Sequence, residues 1–220
     1  LSLLALILIS APIARGAVNP CVFMAIYIII LFALLISIPR IFVNGEIRIR
    51  RTPIDIAILL FFLAAVISSL NSRYIYGSVT ELIRLGNLGM VFYIAVNFIR
   101  TEKDIKRVLD IVLITAGAIA IFGVLQYLGV LDRSWWDNPR FLSATFVNHN
   151  HFAGYLELVI PVCLGMILTE TDTGKKALYI YLFLILSAAF LLSMSRGGWL
   201  SLSIAMTFMA WIMFKKGQDR

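Results

Sequence analysis

The chain has 220 residues, of which 61% are apolar and 14% charged, and its mean hydropathy is +0.95. A soluble domain of this length has too much surface for its volume to hide so many apolar side chains, and the same composition excludes disorder. The net charge of +7 does not indicate nucleic acid, because the basic residues form short clusters between hydrophobic runs, the pattern of membrane anchoring.

The fold class that remains is all-α: a polytopic transmembrane helical bundle. Apolar runs near the roughly 20 residues that cross a bilayer predict about eight spans, at 1–14, 18–38, 54–70, 79–99, 108–131, 151–169, 177–194 and 197–214. The first is short and contains Pro12. It begins at Leu1 with no methionine and no basic leader, so it reads as part of a natural span in a fragment, not as a signal peptide. The segment 39–53 reads as a loop, since Pro39 and Pro53 bracket an Asn44-Gly45 turn signal. The longest polar connection, 132–150, carries Trp135 and Trp136, which suit an interfacial aromatic belt or a sugar-stacking platform. Cys21 and Cys163 both lie inside apolar runs and form neither a CxxC pair nor a metal-ligand spacing. No linker, low-complexity tract or internal repeat divides the chain, so 1–220 is expected to be one transmembrane domain.

Orientation follows from lysine and arginine placement. One set of connections holds Arg40, Arg48, Arg50 and Arg51, then Arg100, Lys103, Lys106 and Arg107, then Lys175 and Lys176, then Lys215, Lys216 and Arg220. The alternate set holds Arg15, Arg73, Arg133, Arg140 and Arg196, with Arg84 inside a span. The imbalance is thirteen against five, so the first set is expected on the cytoplasmic side. The stretch 132–150 and the turn at 195–197 then face outward.

Three features stand out against this apolar background. The first is Arg140-Phe-Leu-Ser-Ala-Thr-Phe-Val-Asn148-His149-Asn150-His151-Phe-Ala-Gly154-Tyr155-Leu-Glu157, leading into the sixth span. At helical spacing Asn150, Gly154, Glu157 and Pro161 share a face, and a face of small and polar residues normally looks into a bundle. Asn148 or Asn150 could equally cap the helix. His149 and His151 are two apart, with no third ligand nearby, so no metal site is expected. His151 fits interfacial hydrogen bonding to a polar ligand, or plain solvation. The second feature is Ser193-Met-Ser195-Arg196-Gly197-Gly198-Trp199. A guanidinium, glycines that bare backbone N–H groups and a helix N-terminus would together favour an anion. The alternative is a tight turn whose arginine snorkels to the interface. The third is the intramembrane pair Arg84 and Glu157, each about 9 Å below the outer end of its span at 1.5 Å per residue. Ionisable groups at such depth raise a functional hypothesis. They are expected to approach each other, or to meet Glu81 or Arg196, around an outward-facing cavity. A local Glu81–Arg84 pair at i, i+3 is the competing arrangement.

Two of these tracts, read together, resemble the O-antigen ligase and O-antigen polymerase-like family. Its members show an arginine ahead of T-F-x-N-x-N-x-x-A-x-Y-L, matched here from Arg140 through Thr145-Phe146-Val-Asn148-His-Asn150-His-Phe-Ala153-Gly-Tyr155-Leu156. A later S-R-G-x-x-L is matched by Ser195-Arg196-Gly197-Gly198-Trp199-Leu200. The resemblance is carried by residues 140–202. It implies a multi-pass inner-membrane glycosyltransferase, with motif-bearing loops in the periplasm, that takes a glycan from an undecaprenyl-diphosphate carrier and joins it to lipid A–core, a polysaccharide or a protein. Neither a cofactor nor a metal is implied. The expected partners are the lipid-linked donor, a lipid or glycan acceptor and membrane lipids, with no nucleic acid. By the motif match Arg196 is the catalytic candidate, stabilising diphosphate charge as the glycosidic bond breaks. Arg140, Asn148, Asn150 and His151 are candidate substrate contacts, with Arg84 and Glu157 lining the cavity. Family members continue into a large periplasmic loop carrying a histidine base. The chain given ends before such a loop, so alone it is expected to be inactive or nearly so, and that role does not pass to His149 or His151. A secondary transporter or polysaccharide flippase is the main alternative, and a non-catalytic membrane scaffold is a third reading.

Overall fold

The computed structural model describes residues 2–14, 20–43, 46–47 and 50–218. Arg15, Arg48, Arg220 and the Asn44-Gly45 turn signal lie outside the described residues. Among those described are eight helices: α1 (Ser2–Ile13), α2 (Pro20–Ile41), α3 (Asp55–Leu70), α4 (Ile75–Phe98), α5 (Glu102–Tyr127), α6 (His149–Thr169), α7 (Thr173–Leu192) and α8 (Arg196–Gln218). Each coincides with one of the expected apolar runs. Between α2 and α3, where a loop was expected, Phe42–Val43 (β1) pairs antiparallel with Glu46–Ile47 (β2).

The protein is a helical, multi-pass membrane protein. Among the described residues five helices, α4 to α8, are long and apolar enough to cross a bilayer, whereas α1, the apolar part of α2 and α3 are shorter. The side chains agree with hydrocarbon as the solvent. Helix α3 has no buried residue, yet Leu59, Leu60 and Phe61 are each more than half exposed. A water-facing helix of that composition would not persist.

Local polar groups stop and start the helices. Thr101 and Asp104 form a capping box ahead of α5: the Asp104 N–H donates to Thr101 Oγ1 at 3.1 Å, and the Thr101 N–H donates back to Asp104 Oδ2 at 3.1 Å. Asp172 caps α7 by accepting from the Lys175 N–H. Gly129, at φ +77°, ends α5 four residues before the close of its hydrophobic run. The Gly129 N–H donates to Gln126 O and the Val130 N–H to Leu125 O, which is the Schellman pattern that a left-handed glycine permits.

The chain forms two compact units, one of Leu1–Ile7 with Pro20–Lys106 and one of Leu8–Asn19 with Arg107–Arg220. In the first, α4 packs against α2 and α3. In the second, α6 packs against α7 and α8, and one apolar core draws on Leu113, Ala116 and Ala120 of α5, Leu156 and Cys163 of α6, and Leu186 and Ala189 of α7. The Tyr179 hydroxyl donates to Asp110 Oδ1 at 2.6 Å, tying α7 to α5.

Candidate functional site

The site is built at the end of the second unit where α5 and α7 finish and α6 and α8 begin. The connection from α5 to α6 is a folded cap. Gln126, fully buried, donates from Nε2 to the Asp132 carbonyl at 2.6 Å. Asp132 accepts from Ser134 Oγ at 2.8 Å and from the Ser134 N–H at 3.1 Å, and these bonds hold its carboxyl below the usual aspartate range. Arg133 donates to the carbonyls of Tyr127 and Pro139 and lies over the Trp136 ring.

The two tryptophans are structural here. Both indole N–H groups donate to the Ala144 carbonyl, Trp136 at 3.1 Å and Trp135 at 3.3 Å. Trp136 is 6% exposed and belongs to the core, so it is neither an interfacial belt residue nor a sugar platform. Trp135 stacks on Phe122. Ala144 is held at φ +50°, a strained backbone for a residue with a Cβ. The loop reaches this position because α5 offers a glycine: a Cβ on Gly123 would lie 2.6 Å from the Ala144 Cβ and 2.8 Å from Leu142 Cδ2. Two bonds pin the loop outward from there. The Leu142 N–H donates to the Leu192 carbonyl at 3.1 Å, at the end of α7, and Thr145 Oγ1 donates to the Pro12 carbonyl at 2.7 Å.

Asn148 is the N-cap of α6, accepting from the Asn150 N–H at 2.7 Å, so the capping alternative holds for this residue. Asn150 does something else. Its Oδ1 accepts from Ser195 Oγ at 2.8 Å. Ser195 is 4% exposed, and its Oγ in turn accepts from the Gly198 N–H at 3.2 Å, as a serine N-cap does. One hydroxyl therefore joins the two tracts singled out in the sequence and sets the first turn of α8. Ahead of it, Met194 occupies the left-handed region at φ +52°. Gly198 is needed for closeness: a Cβ there would lie 3.1 Å from Glu157 Oε1 and 3.2 Å from both the Ala153 Cβ and Phe190 Cε2. Glu157 faces this turn and accepts a hydrogen bond from Ser201 Oγ through Oε2.

Arg196 is the first residue of α8, and its side chain is exposed. Among the described residues neither its guanidinium nor the N–H groups of Arg196 and Gly197 have an acceptor. The first turn thus presents two kinds of donor. Its inner side is already occupied, by Ser195 Oγ at the Gly198 N–H and by the Glu157 carboxylate beside it. Its outer side, at Arg196 and Gly197, is open to an anion.

Arg140 is exposed, and its side chain makes no ion pair among the described residues. His151 is also exposed. His149 packs its ring on Phe141 at 4.6 Å and keeps a buried Nδ1 without a partner. Arg84 belongs to the first unit, where Nη1 donates to Glu81 Oε1 at 2.7 Å and the guanidinium lies 5.5 Å from the Phe23 ring centroid. This is the local i, i+3 arrangement. Helices α4 and α6 begin earlier than their hydrophobic runs, at Ile75 and His149. Arg84 and Glu157 therefore lie about 13 Å and 12 Å along their helices at 1.5 Å per residue. No group of three metal-binding side chains occurs among the described residues. Sequence reading did not select Ser195 and Ser201 as site residues. A serine three residues ahead of a helical glycine was the available signal for the first, and none marked the second.

No protein-family model, curated protein or solved structure matches the chain.

Proposed function

We propose that this chain is part of an inner-membrane glycan transferase of the O-antigen ligase and polymerase type. All eight helices cross the bilayer in this reading, and the Arg196 end faces the periplasm. The donor is a glycan on undecaprenyl diphosphate. An acceptor hydroxyl attacks the anomeric carbon, the bond from that carbon to the diphosphate oxygen breaks, and the hydroxyl proton leaves to a base. The departing polyprenyl diphosphate carries the developing charge, and Arg196 meets it with a planar fork of donors beside the open N–H groups of α8.

The observation that carries this reading is the Asn150–Ser195–Gly198 hydrogen-bond chain. It links the asparagine tract to the Ser-Arg-Gly turn and fixes the residue before Arg196, so the guanidinium stands on a preset helix start instead of a free loop. Preset donors aimed at developing charge are the most effective kind. Arg140, Asn148 and His151 contribute at the rim, with Asn148 acting through the cap of α6.

The test is transfer of lipid-linked glycan by the protein expressed from its natural reading frame, comparing Arg196→Ala and Arg196→Lys. Loss of one charge-stabilising donor costs about 10²–10³ in rate. Lysine keeps the charge but loses the bidentate fork, so both variants should be strongly impaired. Undiminished transfer in both would end the assignment. Movement of intact lipid-linked glycan across vesicle membranes without transfer would favour the transporter reading.

A further inference from the structure

The first unit contains a groove of about 800 Å³ between α2, α3 and α4, unconnected with the reading above. Its α4 wall is a single helical face: Gly86, Gly89, Met90, Tyr93, Ile94 and Asn97 recur at intervals of three and four residues. A Cβ on Gly86 or Gly89 would meet nothing within 4 Å, so the floor there is open space and not a tight helix contact. The body of the groove is apolar, with Leu59 and Phe62 opposite Leu85 and Met90.

One end is polar and holds the only charged residues of the lining. Arg51, Asp55, Tyr93 and Asn97 line it. Asp55 is already engaged: it accepts from the Thr52 N–H and Oγ1 and from the Tyr93 hydroxyl. Asn97 gathers two further arginines, since the Arg50 N–H donates to its Oδ1 at 3.2 Å and Arg100 Nε donates to its carbonyl at 3.0 Å. Arg50 reaches this end through its backbone and Arg100 through its side chain, so three positive charges, with Arg51, stand here against two negative ones, Asp55 and Asp104, whose carboxylate accepts from the Arg100 N–H at 3.3 Å. Arg51 forms no hydrogen bond or salt bridge among the described residues, although its charge acts on the Asp55 carboxylate. An apolar slot with a cationic mouth matches an amphiphile with an anionic head.

We propose that the groove holds an acyl chain of an anionic phospholipid, with Arg51 on the headgroup phosphate. A free phosphate would use the mouth alone and leave the apolar body without a role. A zwitterionic lipid would bring a second cation to a rim already rich in them.

The probes are phosphatidylglycerol, phosphatidylcholine and inorganic phosphate, added to the delipidated protein in detergent. The readouts are lipid adducts by native mass spectrometry and the melting temperature. Phosphatidylglycerol should bind in preference to phosphatidylcholine and raise the melting temperature more, and inorganic phosphate should do neither. Arg51→Gln should weaken the phosphatidylglycerol adduct about tenfold, the ratio that corresponds to about 1.4 kcal/mol for one charge-assisted contact. Gly89→Leu fills the open floor and should reduce adducts of both lipids. If that variant fails to fold, Arg51→Gln decides alone. Equal binding of the two lipids by the unaltered protein overturns the proposal, as does a phosphatidylglycerol preference that survives Arg51→Gln. Stabilisation by inorganic phosphate alone would make this a simple anion site. Self-association abolished by Gly89→Leu would make the groove a contact between copies. Either result also overturns it.

Discussion

The bond from Ser195 to Asn150 invites a double-mutant cycle, because its two ends differ in burial. Ser195 is 4% exposed, whereas Asn150 is exposed. Asn150→Ala removes an acceptor from a buried hydroxyl, at a cost of about 1–3 kcal/mol when nothing replaces it. The exposed edge of the site admits water, which places the expected loss near 1 kcal/mol. Ser195→Ala removes the same bond and also the N-cap at the Gly198 N–H, worth about 1 kcal/mol by itself, so it should cost about 2 kcal/mol. The double variant should be no worse than Ser195→Ala alone, leaving a coupling energy of about 1 kcal/mol. For a chain of 150–250 residues each kcal/mol moves the melting temperature by about 2–4 °C. Asn150→Ala should therefore lower it by about 3 °C and Ser195→Ala by about 6 °C, measured in one detergent by intrinsic fluorescence. Strict additivity of the two single losses would refute the link between the tracts. An Asn150→Ala protein as stable as the original would refute it too.

Two other expectations concern the backbone around this link. A methyl group at Gly123 would sit 2.6 Å from the Ala144 Cβ, so Gly123→Ala should lever the loop off α5. The reporters are Trp135 and Trp136: their emission should shift to the red, and protease should cut within 128–148 sooner than in the unaltered protein. Met194 holds the left-handed position just past α7, with its N–H donating to the Leu191 carbonyl at 3.1 Å. Glycine is the residue that takes this conformation without strain, so Met194→Gly should raise stability by about 1 kcal/mol, or about 2–4 °C in melting temperature. A lower melting temperature would show that the Met194 side chain stabilises the turn by more than its backbone strain costs.

Gly129 and Met194 also show where the sequence was legible and where it was not. Both stand at the same left-handed position after a helix. The glycine announces itself, although the hydrophobic run continues past it to Leu131. The methionine carries no signal, so α7 reads two residues too long and the turn before Arg196 too short. Caps made by Asp172, Asn148 and Thr101 were open to sequence reading, because short polar side chains at run boundaries have a local reason to be there. The role of Trp136 was not. A tryptophan in a polar connection next to a membrane suits the interface, and only the return of the loop to Ala144 O buries it. Gly123 reads as an ordinary helical glycine and Gly198 as one that bares its N–H to an anion, since the close approaches they permit are set by partners 21 and 41 residues away, Ala144 and Glu157. Arg84 was legible locally, through Glu81 three residues before it.

Glu157 is the residue whose charge has the least obvious benefit. A carboxylate inside an apolar bundle is costly, and next to a proposed anion site it should repel the ligand. Its position resolves part of this. It lies against the first turn of α8, where a negative charge complements the helix dipole, and Ser201 supplies a hydrogen bond. Glu157→Gln keeps the size and an acceptor for Ser201 while removing the charge. Stability should then fall by only about 0.3–1 kcal/mol, the worth of a charge at a helix end. Anion affinity should move the other way. Two unit charges about 8 Å apart in an effective dielectric of about 20 repel by about 2 kcal/mol, so the variant should bind a polyprenyl phosphate at least tenfold more tightly, with the gain shrinking at high salt. Equal or weaker binding by Glu157→Gln would mean that the ligand does not share the α8 terminus with this carboxylate. The open donors at Arg196 and Gly197 would then lose their claim to the phosphate. Tighter binding with slower transfer would be more informative still, since it would show that the carboxylate keeps the ground state loose so that Arg196 acts mainly on the leaving diphosphate.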